Sequence, residues 1–580
     1  MRALLLPTFA YLCLLTPVSA FSAVTELCNV RIDSSEKVDF SGTEEKWLCG
    51  EKDTAAWQRI PIPQQRLFLT GFLQDRGYHH PEFKVEDGRL LVEAGAPAKV
   101  ERFTVKNAPK EFDPSKRRRL KGKVLNKASL DDGAAWTRRQ LQYLGYPCPR
   151  VTPLALTDSN EIQLDVNPGP KTNFSIVESP AVRDLHPGVI DRYTAFREGQ
   201  DFDVRLLELT SSRILLADLY LSSYYDVLCA DGEYPKVVRR FVPAKPRLLT
   251  FGIGFSTEEG PRFNATFKWM RIDEPANSLE SNLLASFRVQ EISTKFRYHL
   301  SPNVAPNLEL VPNVSVTHEE NQAFEALRTQ AGANLAYSWE RDQFQIRSEV
   351  GPSLNYSKNL RDVNPNSPAD VTAIRINTNI EATSHLYDYY QSDPRTGWMA
   401  SINTQSQFKG LLADQTYHRL LARHKILFNL GHFDPAFLIL GWRGQAGTYL
   451  FNNRNETPRD VPADQFFYVG GIESLRGFAL NAFPGDKGGY LTAFYQGFEL
   501  RTGTWFNFDI QPFLFFDMGM GGRRSLSLDK NFLYAPGVGL RYNSPFGTVR
   551  ATLARGFATG LDPGDPQPGL KFFFSFGPEF

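Results

Sequence analysis

The chain has 580 residues, a formal charge of +1 and 42% hydrophobic residues, with Phe far outnumbering Met, 44 against 5. Near-neutrality gives no electrostatic case for binding nucleic acid, and flat aromatic rings suit strands better than helices. The length allows roughly three to four domains.

Residues 1–23, "MRALLLPTFAYLCLLTPVSAFSA", carry Arg2, a short apolar run and small residues before a cut. This pattern predicts a secretory signal peptide, because the run is shorter than the ~18 apolar residues of a membrane-crossing helix. With Cys13 removed, Cys28, Cys49, Cys148 and Cys229 remain, an even number for an oxidising compartment. Cys28 to Cys49 would close a loop of about 22 residues, for which chain entropy gives roughly 3 kcal/mol. A Cys148–Cys229 bridge follows only from parity.

Three related segments then recur, with Gly77-Tyr78, Gly145-Tyr146 and Leu219-Tyr220 at the same point. The period is roughly 70 residues. Each predicts a small α+β domain with a sheet and two helices, over 24–96, 97–169 and 170–246. In the first, Leu67, Phe68, Gly71, Phe72 and Leu73 lie at helical spacing. The basic run "KRRRLKGK" at 116–123 is expected to be a solvated face. His79-His80 falls at a helix end and is expected to be solvated. Each copy would leave an edge strand able to accept an extended peptide.

From 247 to 580 the texture changes to two-residue alternation. Leu249, Phe251, Ile253 and Phe255 alternate with small or polar residues, and so do residues of "RFNATFKW", "LLASFRV", "QFQIRSEV", "GTVRATLARG" and "LKFFFSFGPEF". Such segments, separated by turns, read as a transmembrane antiparallel β-barrel of about 16 strands. Within it, "GGIESLRGFALN" at 470–481 sets Arg476 between glycine turns, where Gly470, Gly471 and Gly477 would supply the backbone freedom. Phase places Glu499 and Asp517 inward on the strands that follow, with Leu514, Phe516 and Met518 toward lipid. A loop folded into the lumen would bring Arg476 onto these carboxylates, and Leu475 and Phe478 onto lumenal apolar groups. The alternative is an exposed extracellular hairpin.

No catalytic pattern emerges. Gly252-x-Gly254 is followed by no helix, "THEENQ" lacks a second zinc-ligand histidine, and no Gly-x-Ser-x-Gly elbow occurs. A non-enzyme without cofactor or metal is expected, although a lipase-type barrel would need only a Ser and a His on one rim.

The "SLRGF" loop, the "FFDMG" strand, "YNSPFGTVR" and the ending "FSFGPEF" resemble the BamA/TamA superfamily of outer-membrane barrels with periplasmic POTRA (polypeptide-transport-associated) repeats. Three repeats, "FGIGFSTEEGPRFNATFKW" and the "GPEF" end are similar to the TamA branch, the outer-membrane subunit of the translocation and assembly module. The resemblance implies an inward loop carrying Arg476, Gly477 and Phe478, paired to Asp517. It also implies a lateral gate between the first and last strands, at Gly252, Gly254, Phe574, Gly577 and Phe580. Its implied function is insertion of client barrels such as autotransporters. The implied partners are a TamB-like inner-membrane-anchored protein, unfolded outer-membrane clients and the lipid bilayer. A two-partner-secretion translocator and a passive porin remain the alternatives.

Overall fold

A computed structural model describes residues 23–577, except 176, 178–184, 231–234, 302–304, 363–366, 453–457, 485–487, 504–509, 545–546 and 562–565. Residues 1–22 of the expected signal peptide and Phe580 lie outside the described residues, and Ala23 already belongs to the first strand. The chain divides into two compact units, one of residues up to 140 with 149–168, the other of 141–148 with 169 onward.

The first unit holds two small sheets. In one, strands Ala23–Leu27, Val30–Ser34, Arg89–Gly95 and Glu82–Glu86 lie side by side in that order. Val30–Ser34 and Arg89–Gly95 run parallel, so the chain must cross over between them, and helices Gly42–Cys49 and Ile62–Asp75 make that crossing. Ser41 starts the first helix with a capping box: its Oγ accepts the Glu44 N–H, and the Glu44 carboxylate accepts the Ser41 N–H at 2.7 Å. Ile32, Leu48, Leu69, Leu73 and Leu90 are fully buried between helices and sheet. The buried stripe of the second helix is Gln65, Leu69 and Leu73, at four-residue spacing; Leu67 is 69% exposed, so it does not share the core-facing role of Leu73. Cys28 and Cys49 are disulfide-bonded, with Cα atoms 5.8 Å apart.

The other small sheet has Arg102–Lys106 parallel to Glu161–Asn167, with Arg150–Leu156 antiparallel on the far side. Only one α-helix, Lys127–Tyr143, accompanies it. Two helices were expected for this repeat; between Arg102–Lys106 and the one helix, "PSK" and "RRL" form only 3₁₀ turns. The reason is local: Leu120 alone in that basic run is apolar and buried, so no stripe holds a helix on the core. The run is not wholly solvated either, since Arg117 pairs with Asp132 at 2.6 Å.

The second unit begins with a third α+β element. It too has one α-helix among the described residues, Val204–Leu216, packed on the hairpin Tyr220–Leu228/Lys236–Pro243. Asp203 caps the helix through its carboxylate and the Arg205 N–H, at 2.9 Å. Cys148 and Cys229 are joined, with Cα atoms 5.9 Å apart. Arg213 of the helix bonds Glu340 at 3.0 Å and Asp388 at 2.8 Å. Asp388 sits in the short helix His385–Tyr389, which caps the turn between two barrel strands. The helix is therefore fixed to one rim of the barrel.

The barrel itself is closed and antiparallel, from Arg247–Ser256 to Leu570–Gly577. It has sixteen strands when Gly547–Arg555 and Phe557–Thr559, both paired to Phe532–Ser544, are taken as one strand broken at Gly556. "LLASFRV" is not one strand: Ser278–Ala285 ends before it is complete, and Phe287 lies in the turn to Val289–Ser301. Leu249, Phe251, Ile253, Leu514, Val538 and Phe572 point outward and are exposed, as residues facing lipid would be.

Candidate functional site

The inner wall formed by two late strands carries the charges. Alternation along Thr492–Thr502 turns Tyr495, Glu499 and Arg501 inward, and along Ile510–Gly522 it turns Phe513, Phe515 and Asp517 inward. The register sets Glu499 opposite Phe515 and Gly497 opposite Asp517. Gly497 lies where a Cβ would stand 2.8 Å from the Asp517 carboxylate and closer still to the Tyr495 hydroxyl, so the bare backbone makes room for the acid.

The segments 458–484 and 488–491 fold into the lumen. Leu475, Phe478 and Phe483 are buried with Tyr417, Tyr449 and Leu533 of the wall in one apolar cluster. Asp460 and Asp464 fasten the entry. Asp460 accepts the Gln415 N–H at 2.7 Å, and Asp464 pairs with Arg328 at 2.9 Å. Gly470 and Gly471 have φ of +125° and +106°, the left-handed region that other residues adopt at a cost. Gly477 serves differently from the expected turn: a Cβ there would stand 2.6 Å from the Cα of Gly556. The tip of the loop thus presses on the broken strand, at the residue where the break occurs.

Arg476 is fully buried. Its Nε and Nη2 donate to the two oxygens of Asp517 at 2.7 and 2.8 Å, a two-pronged contact a lysine could not make. Its backbone N–H also donates to Asp517, at 3.2 Å. Nη1 donates to Glu499 at 2.5 Å, and the guanidinium lies 3.5 Å from the centre of the Phe515 ring. Glu499 is shared with Arg501 at 2.9 Å and with Arg550, while the Tyr495 hydroxyl donates to Asp517 at 3.3 Å. Three guanidiniums and two carboxylates leave one net positive charge in this dry cluster. Each ion removed from water costs several kcal/mol unless its partners stay in place, so the arrangement is a lock rather than a reagent. Arg501, Arg550, Phe515 and Tyr495 were not singled out in the sequence. Their inward phase was readable, but which of many inward residues converge was not.

The remaining named residues lie at the seam. Among the described residues, the register between first and last strands covers Phe255 opposite Phe576 and Ser256 opposite Ser575. The Thr257 N–H donates to the Phe574 carbonyl at 3.0 Å just beyond. Gly252 and Gly254 face the neighbouring strand at Asn264 and Arg262, and a Cβ on Gly254 would stand 3.0 Å from the Phe576 carbonyl oxygen. Gly577 has φ +136° and stands opposite Thr548. The Arg476 cluster and the seam are thus separate features of one barrel.

The Omp85 superfamily domain is matched by residues 275–580. Among solved structures, the chain is similar to BamA from Haemophilus ducreyi lacking POTRA domains 1–3 (14% identity, 83% of this chain and 99% of that one, TM-score 0.48). It is also similar to CdiB from Acinetobacter baumannii (13% identity, 82% and 89%, TM-score 0.44) and to CdiB from Escherichia coli (12% identity, 89% and 97%, TM-score 0.44).

Proposed function

The chain belongs to the Omp85 superfamily, an outer-membrane barrel with a role in inserting or translocating proteins, and on that premise we propose that it inserts client barrels through its own seam. The observation that carries this reading is the pairing contrast along the first strand. Its register with Gly260–Trp269 runs the whole length, from Arg247 opposite Trp269 to Ser256 opposite Gly260. On its other side only Phe255 and Ser256 have strand partners among the described residues. Among the described residues, Arg247–Gly254 therefore have no strand partner on that side, and an extended client segment can add to such an edge through main-chain hydrogen bonds. No bond of the client is made or broken, so the protein acts without catalytic groups, cofactor or metal.

The finer assignment is a TamA-like subunit that assembles autotransporters and related clients. Its three N-terminal elements would stand in the periplasm as POTRA repeats and meet a TamB-like inner-membrane-anchored partner. The motifs around Arg476 and the α+β elements support it. Passage through the pore, as in a two-partner-secretion translocator or a porin, is less well supported. The loop, its apolar cluster and the Arg476 cluster occupy the lumen, and all three would have to leave.

The test is a disulfide across the seam. Phe255→Cys with Phe576→Cys, register partners, should crosslink in the membrane and stop assembly of a reporter autotransporter, with activity returning on reduction. Undiminished assembly by fully crosslinked protein would refute the proposal.

A further inference from the structure

The turn between the first two barrel strands, residues 257–259, has two attachments on consecutive residues. Thr257 holds the last strand: its N–H donates to the Phe574 carbonyl at 3.0 Å, and its hydroxyl accepts the Phe574 N–H at 3.3 Å. Glu258 holds the inward loop: its Oε1 accepts the Ile472 N–H at 3.1 Å. Close approach is built into the loop side. Gly471, at φ +106°, leaves so little space that a Cβ would stand 2.9 Å from the same carboxylate oxygen. The turn itself is braced, with Glu259 N–H donating to Ser256 Oγ at 3.0 Å. Phe287 of the next turn packs where a side chain on Gly260 would go, and its N–H donates to the Glu259 carbonyl at 3.3 Å.

We infer that Glu258 is a clasp that couples the inward loop to the seam, so that displacing the loop at Ile472 releases the first hairpin from the last strand. The inference extends the lateral-gate reading, but it concerns only how the seam is held and can be tested without any client. The physical reasoning is short. Among the described residues, a seam held by two strand partners and a turn is the shortest pairing in the barrel, so one further hydrogen bond to a charged acceptor changes its opening equilibrium appreciably. That bond comes from the segment that Arg476 fixes four residues further on. A client or lipid that disturbs the loop therefore reaches the seam through one residue.

The clasp also responds to protons. Burial is the main force that raises the Glu258 carboxyl to about 7, with Glu473 on the loop and Glu259 on the turn adding to it; the Ile472 N–H and Arg288 on the neighbouring turn oppose them. In an opened seam the carboxyl is in water and returns to its ordinary value. Closure thus takes up a proton, and the closed form gains as pH falls through 7 toward 4.5.

The experiment uses the full-length protein in outer-membrane lipid vesicles, with nitroxide labels on Ile253→Cys and Phe572→Cys, both outward and exposed. Distance distributions report how often the seam parts. Glu258→Ala should raise the population of the longer distance about tenfold at pH 8, the effect of one lost hydrogen bond to a charged acceptor. Glu258→Gln keeps an acceptor oxygen without the charge, as the protonated acid does, and should match wild type at pH 5.5. Wild type should show about tenfold less of the longer distance at pH 5.5 than at pH 8, reduced from the full shift because Glu258 is only half-buried. Glu258→Gln should be flat across that range. An unchanged distribution in Glu258→Ala, or a pH response that persists in Glu258→Gln, would overturn the clasp. If Glu258→Ala also loosens a control label pair across strands Thr492–Thr502 and Ile510–Gly522, the residue is a general stabiliser and the inference falls. Should the clasp hold while the seam disulfide leaves client assembly intact, the lateral gate alone is wrong.

Discussion

The wall under Arg476 and the seam are built from the same kind of strand, yet they are held in opposite ways. Thr492–Thr502 and Ile510–Gly522 are paired from Thr492 opposite Gly522 to Arg501 opposite Phe513, and a buried ion cluster and an apolar plug press on them from inside. Among the described residues, the first and last strands are register partners at two positions only. Main-chain pairing is the dominant cohesion of a barrel in lipid, since no water replaces a missing bond. A barrel reinforced on one side and barely closed on another will open where it is least paired. The lumenal lock thus confines motion to the seam.

The largest effect should come from breaking the lock. Arg476→Ala or Asp517→Ala strands a buried charge and should lower barrel stability by about 3–5 kcal/mol, read as a drop in the temperature at which the barrel loses its compact gel mobility. Arg476→Lys should lose about half as much, because one prong of the contact to Asp517 goes. If the losses from Arg476→Ala and Asp517→Ala are strictly additive in the double variant, the pair makes no contribution as a unit.

The next effect tests the tip of the loop. Gly556→Val places side-chain atoms where the Gly477 carbonyl and the Phe478 ring already lie, and a Cβ would stand 2.5 Å from that oxygen. We expect a loss of about 1–3 kcal/mol, typical of overpacking, with protease reaching the loop in folded protein. Unchanged protection would mean the loop does not rest on the broken strand.

The smallest effect compares the dry Arg–carboxylate contact with a wetter one. Arg76 in the first unit holds Glu44 at 2.8 Å, and this hydrogen bond, with the Ser41 cap, lowers the Glu44 carboxyl to about 2. A lowered acid stabilises above its ordinary value and loses that contribution as pH falls from about 4.5 to about 2. The loss should be only about 1 kcal/mol, because solvent screens the pair. Thermal unfolding of the first unit within the full chain should show this slope, and Glu44→Gln should remove it. Equal slopes in both proteins would show that other groups carry the acid sensitivity.

How far the sequence could be read follows from the physics of each part. Two-residue alternation is a property of neighbours in the chain, so the barrel, the inward phase of Glu499 and Asp517 and the outward phase of Leu514 were legible. The convergence of Arg550 and Arg501 on Glu499 was not, since it depends on which strands are adjacent and in which register. Gly477 illustrates the same limit: a glycine in a loop suggests a turn, and only its distance from Gly556 shows that close approach is its role. The run "KRRRLKGK" was charged enough to read as solvent-facing, yet Asp132 on a later helix draws Arg117 in. Glu258 left no local mark at all, because its partner is a backbone N–H more than two hundred residues away.

The most direct test of the unequal barrel is hydrogen exchange on the resting protein in lipid, resolved to short segments. Thr492–Thr502 and Ile510–Gly522 should be the slowest to exchange, and Arg247–Gly254 should exchange faster than them by at least about a hundredfold. Equal protection of the first strand and the wall would contradict the account.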